Sequence, residues 1–194
     1  MGKTKFLLTG TLMAVLALGG CRSTKEALAI GDAGDVNPGP CPRAFALYDA
    51  ARIVEMKGPE SFANVGFTGE IGKIRSLCRY YGEQPIEADL EIEMEFGRGP
   101  AASGESAVYE YFIAVTRKNL AVIHKEVFPI SVRFPAGKDR VSITEKIDKI
   151  TIPRASENTS GVNFEIIVGY VVTDEQRAFN AEGKRFRVSA GQTP

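Results

Sequence analysis

From Ile86 to Phe96 the chain alternates without exception. Ile86, Ala88, Leu90, Ile92, Met94 and Phe96 are apolar, and Glu87, Asp89, Glu91, Glu93 and Glu95 are acidic. A period of two is that of a β-strand, whose successive side chains point to opposite faces. A helix would spread the same apolar residues around its whole circumference. The segment is therefore predicted to be a strand with one dry face and one wet face, and a second layer must cover the dry one. The segment before it matches. Lys73, Arg75 and Arg79 fall on one parity, and Ile74, Cys78 and Tyr80 on the other. Tyr81-Gly82-Glu83-Gln84-Pro85 reads as the turn between them. A hairpin with Arg79 opposite Glu87 sets Arg75 against Glu91 and Lys73 against Glu93. Inside, Cys78, Ser76 and Ile74 then meet Ala88, Leu90 and Ile92. Each cross-strand charge pair contributes roughly 0.2–1 kcal/mol.

Further strands follow. Val108 to Arg117 is aromatic and β-branched with both faces largely apolar, which suits a central strand. In Ala121 to Phe134, Phe128, Ile130, Val132 and Phe134 share a face, and Pro129 points to an edge or a bulge. Val141 to Ile152 is another run, and Gly161 to Thr173 reads as a strand near a sheet centre. Asp174 to Asn180 is predicted to be a short helix capped by Thr173 or Asp174. Ala44 to Met56 fits either a helix or a kinked first strand, and strand is the preferred reading. Seven or eight strands without helix–strand alternation predict an all-β, antiparallel sandwich of immunoglobulin or fibronectin-III type. A closed barrel is the alternative. The chain has no Trp, so the usual immunoglobulin core marker is missing.

The first residues belong to no fold. Lys3 and Lys5 precede an uncharged apolar run from Phe6 to Leu18, which ends in Leu18-Gly19-Gly20-Cys21. Basic start, apolar middle and small residues before a break is the layout of a secretory signal. A run of roughly 13 residues makes a helix of about 20 Å, short of the ~30 Å a spanning helix must cover. Leu18-Gly19-Gly20-Cys21 resembles a bacterial lipobox. That resemblance implies a diacylglycerol on the Cys21 thiol and cleavage just before it, giving an anchor of two or more acyl chains. Arg22 in place of Asp implies sorting to the outer membrane in a Gram-negative cell. The expected organisation is a signal over 1–20, a lipidated Gly/Pro-containing tether over 21–40, and a folded domain over 41–190.

Roughly 174 residues remain after cleavage, enough for one domain with its own core. With 24 Lys and Arg against 24 Asp and Glu, the chain has no basic excess to favour nucleic acid. Cys41 and Cys78 are left as a pair in an oxidising compartment and are expected to form a disulfide. Two unpaired thiols are the alternative. With one distant His124 they do not make a zinc set, and no metal or cofactor is called for.

The carboxylates Glu87, Asp89, Glu91 and Glu93 invite a calcium or catalytic reading. A solvated hairpin face paired with Lys73, Arg75 and Arg79 explains them more simply. His124, the only histidine, is flanked by Lys125 and Glu126, and no Gly-x-Ser-x-Gly elbow accompanies it, so no catalytic residue is assigned. The loop from Gly97 to Gly104 lacks the Lys-Ser/Thr ending of a phosphate loop. It reads as an inter-strand connection, with a partner-binding loop as the alternative.

Cys41-Pro42, Phe67-x-Gly69-x-Ile71, Arg98-Gly99-Pro100-Ala101-Ala102, Val127-Phe128-Pro129 and Val168-Gly169-Tyr170, with Gln176 and Asn180 after them, resemble segments of uncharacterised alphaproteobacterial envelope lipoproteins. The resemblance covers most of the mature chain and implies an envelope location without an activity. The expectation is a non-enzymatic interaction or scaffolding module. It would be tethered to the periplasmic face of a membrane and bound to an envelope protein. The alternative is a peptidoglycan or glycan binder that stacks sugars on exposed Tyr80, Tyr81, Tyr109 or Tyr111.

Overall fold

The alternating segment is a strand, and the rest of the domain is built around its dry face. The computed structural model describes residues 39–118 and 121–186. Cys21, the signal segment, and the tether up to residue 38 lie outside the described residues. The strands are β1 (Arg43–Ala46), β2 (Arg52–Met56), β3 (Val65–Arg79), β4 (Ile86–Arg98), β5 (Ser106–Arg117), β6 (Val122–Arg133), β7 (Arg140–Ile152) and β8 (Phe164–Tyr170). A single α-helix, α1 (Asp174–Ala181), is described after them. Its N-terminus is a capping box: the Thr173 hydroxyl accepts from the Gln176 N–H, and the Gln176 side chain accepts from the Thr173 N–H.

The strands form two four-stranded sheets, one in the order β2-β3-β4-β7 and the other β1-β8-β5-β6. This is the all-β sandwich expected from the sequence. All pairs are antiparallel except β1–β8, which is parallel. The strand order is its own. Here β2, β3 and β4 follow one another within one sheet, whereas the immunoglobulin arrangement sends its third strand to the opposite sheet. The likeness to immunoglobulin domains is thus one of stacked layers.

The β3–β4 register is the one the charges predict, with Arg79 opposite Glu87, Arg75 opposite Glu91 and Cys78 opposite Ala88. One predicted pair needs correction. A register shift between Ile71 and Ile74 displaces Lys73, and Arg75 bonds both Glu91 (2.5 Å) and Glu93 (2.7 Å). The Ala44 to Met56 segment is strand at both ends, broken by a 3-10 turn at Tyr48–Ala50. The turn carries the chain from one sheet to the other, so β1 lies beside β8 and β2 beside β3.

The core lies between the sheets. Ile86, Ala88, Leu90, Ile92, Met94 and Phe96 of β4 meet Tyr109, Tyr111, Ile113 and Val115 of β5 and the inner residues of β8. An aromatic cluster takes the place of tryptophan. Phe96 packs on Tyr109 with ring centres 4.9 Å apart, and both lie against Tyr170 at 6.4 and 6.2 Å. Cys41 and Cys78 are joined by a disulfide, with Cα atoms 5.7 Å apart. The bridge pins the start of the domain to β3.

Candidate functional site

The residues that the sequence offered for chemistry do not converge. The acidic stripe is the outer face of β4, and it has cations on both sides. Arg75 of β3 holds Glu91 and Glu93, and Arg140 of β7 bonds Glu95 at 2.7 Å. Lys146 stands opposite Glu91 in the register. Asp89 accepts the Lys149 N–H at 3.0 Å, at a bulge where Lys149 takes a φ of 59°. Among the described residues no three His, Cys, Asp or Glu side chains group as a metal site. His124 is exposed on the first half of β6, with Nε2 3.9 Å from a Glu126 oxygen.

Burial removes three of the four tyrosines expected as stacking surfaces. Tyr80, Tyr109 and Tyr111 are 1 to 6% exposed, and only Tyr81 of the four reaches solvent. Tyr109 and Tyr111 share the inward parity of β5 with Ile113, so a single periodicity buries all three. Burial, with Glu145 beside it, pushes the Tyr111 phenol up to about 12. Burial also holds the Tyr109 and Tyr170 phenols well above their ordinary range. Tyr80 is structural. Its hydroxyl donates to the Pro40 carbonyl at 2.9 Å and accepts the Gly161 N–H at 3.1 Å, and the Arg154 guanidinium lies over its ring.

The loop after β4 is tied down. Its Gly99 and Ala101 N–H groups donate to the Gly66 and Val65 carbonyls at 2.6 and 2.9 Å. A Cβ at Gly99 would lie 2.3 Å from the Val65 oxygen, so the close approach requires glycine. A shallow hollow of about 620 Å³ opens beside this loop, lined by residues including Phe62, Arg98, Pro100 and Asp139.

What distinguishes this molecule is the difference between its two outer faces. The β2-β3-β4-β7 sheet shows water mainly charged and polar residues, among them Arg75, Arg79, Glu87, Glu91, Arg140 and Lys146, with Leu77 of β3 standing 76% exposed among them. The outward positions of the β1-β8-β5-β6 sheet carry Phe45, Ile167, Ala114, Phe112, Val127 and Val108. None of these six packs in the inter-sheet cluster, but Ala114 is buried and Phe45, Phe112 and Ile167 are half-buried. Val108 is 70% exposed and Val127 46%. Two of the charges on this face lie over its rings, Arg43 above Phe45 at 5.3 Å and Lys125 above Phe112 at 4.3 Å, while Glu110 and Glu165 share its outward parity. Phe112 also packs against Gly169, where a Cβ would come 2.7 Å from the ring, and the Tyr48–Ala50 turn covers that corner alone. An apolar surface spread over four strands is what a binding partner covers.

Beside this face the sandwich stands open. Between β6 and β7 a cleft of about 310 Å³ reaches the core, lined on one sheet by Ile113, His124 and Phe128 and on the other by Ile147 and Ile150. Residues Val122 to Val127 are exposed on both faces of β6. The sequence signal for this face was available. Apolar outer positions recur in β5, β6 and β8.

Comparison of the chain with protein-family models, curated proteins and solved structures finds no match.

Proposed function

We propose that the chain is a non-enzymatic, lipid-anchored envelope module. Acylated Cys21 would hold it at the periplasmic face of a membrane, the outer one by the Arg22 argument. The outer face of the β1-β8-β5-β6 sheet would bind an envelope protein. The observation that carries this reading is the contrast between the two outer faces. One is mainly a ladder of paired charges, interrupted by the exposed Leu77. The other carries half-buried Phe45 and Phe112 beside the exposed Val108 and Val127. Export and lipidation are supported by the order of features at the N-terminus: basic residues, an apolar run too short to span, then Leu18-Gly19-Gly20-Cys21. The disulfide is a bond that persists in oxidising compartments, in keeping with the periplasm.

Two experiments test the two halves. Cys21→Ser should move the protein from membrane to soluble fractions and abolish acyl labelling, and unchanged membrane retention refutes the anchor. For the interaction face, a photoreactive side chain is placed at Val108 or Val127 in intact cells, and at Thr144 on the opposite sheet as a reference. The expected result is one recurrent crosslinked protein from positions 108 and 127 and none from 144. No crosslink from the first two positions, or equal crosslinking from all three, contradicts the reading.

A further inference from the structure

Four strands end a sheet in this sandwich, and three of their edges are guarded. β1 has four residues only. β2 carries a register shift between Val54 and Met56, and the Gln176 side chain of α1 donates to the Val54 carbonyl at 3.2 Å. β7 has the bulge at Asp148 and Lys149, with Arg140 and Lys146 along its length. Short strands, bulges, covers and cations are the devices by which free edges avoid pairing. β6 is different. Pro129 guards its second half and a register shift lies at Ile123, but the stretch from His124 to Phe128 has neither proline nor bulge and carries Lys125 as its one cationic guard. The apolar Ile123 and Val127 beside it are 42% and 46% exposed.

We infer that this half of β6 pairs antiparallel with the same stretch of a second copy, joining two β1-β8-β5-β6 sheets into one. The proposal goes beyond the interaction reading above, since pairing at the β6 edge leaves the outer face of the sheet open to another partner. Backbone direction fits. The Val171 N–H bonds the Glu110 carbonyl, so Glu110 points its polar groups toward β8 and away from Pro129. By alternation, Pro129, Val127 and Lys125 direct theirs to the free edge. A two-fold axis at Lys125 makes Lys125 and its copy a hydrogen-bonded pair. Glu126 of each chain then stands opposite His124 of the other. The register closes two acid–imidazole pairs before it reaches the register shift at Ile123. Pro129 beyond them lacks the donor to continue. The like-charged pair on the axis is softened because each Lys125 ammonium leans back over Phe112 of its own sheet. Registers centred on Glu126 or Val127 lose both acid–imidazole pairs.

The test uses the full chain in intact cells. A hydrogen-bonded antiparallel pair has Cα atoms about 5.5 Å apart, within disulfide reach. Lys125→Cys should therefore give a covalent dimer on non-reducing gels. Glu110→Cys, exposed on the same face but on an interior strand, should not. Adding Glu126→Lys should lower the Lys125→Cys dimer about tenfold, and His124→Glu in the same chain should restore it. Val127→Pro removes only an outward N–H, so it should abolish the dimer while leaving cooperative unfolding in place. A monomeric Lys125→Cys, a Glu110→Cys dimer of equal yield, or no response to Glu126→Lys overturns the proposal. If Lys125→Cys is monomeric while Val108 still captures one partner protein, self-pairing fails and the wider interaction reading stands.

Discussion

Tyr170 shows how closely single side chains are fitted in the core. It is fully buried and its hydroxyl meets no hydrogen-bond partner among the described residues. The oxygen lies over Gly69, 3.1 Å from where a Cβ would stand. A buried hydroxyl without a partner costs on the order of 1–3 kcal/mol, so Tyr170→Phe should leave stability unchanged or raise it by about 1 kcal/mol, read from denaturant midpoints. The buried phenols also set an alkaline limit. An unfolded tyrosine releases its proton near pH 10, while folded Tyr111 keeps it to about 12. Below pH 10 both states are protonated and the full stability is present. Between pH 10 and 12 the unfolded state holds fewer protons, and stability falls by up to about 1.4 kcal/mol per pH unit for each such phenol. Unfolding curves across pH 9 to 12 should show this fall, and Tyr111→Phe should make it shallower. At this scale the sequence was legible where parity was followed. Tyr109 and Tyr111 sit two apart, in step with Ile113, and the same rule that built β4 places them inside. Reading them as exposed platforms weighed their chemistry over their position.

Among the elements, the β3–β4 hairpin was the most legible. Parity and charge both fix its register, and a slip of one residue would turn Ile92 and Met94 to water. The displacement of Lys73 was not legible, because a bulge adds a residue without any mark in composition. Nor was the split of Ala44 to Met56 between two sheets. The parallel pairing of β1 with β8 joins residues more than a hundred positions apart, and no local pattern encodes it. The disulfide is the element-scale clamp on that first segment. It closes a loop with a sequence separation of 37 residues, and on the chain-entropy model it contributes about 4 kcal/mol. Replacing Cys41 and Cys78 together by Ser should lower the thermal midpoint by an amount matching that figure. The loss should be matched by reduction of the unmodified protein. Equal stability of the reduced and oxidised chains would show that the bridge does not stabilise the domain.

On the scale of the whole molecule, the sandwich follows from counting strands, while its interaction face follows only from knowing which positions share a side. An apolar residue at an outer position looks like any core residue until the layer that should cover it is missing. That is why β5, with both faces apolar, was correctly placed inside a sheet, yet the bare second face went unread. The same arrangement gives the molecule a direction. The charged sheet faces water, and in the proposed reading the more apolar sheet, with the half of β6 before Pro129 at its border, would face a partner. Accessibility in place tests this most directly. Val108→Cys, Val127→Cys and Thr144→Cys are labelled with a membrane-impermeant maleimide in the native envelope and again after detergent extraction. The account predicts that Cys at 108 and 127 is protected in the envelope and labels freely once extracted, while Cys at 144 labels fully in both. Equal labelling at all three positions in the intact envelope would contradict it.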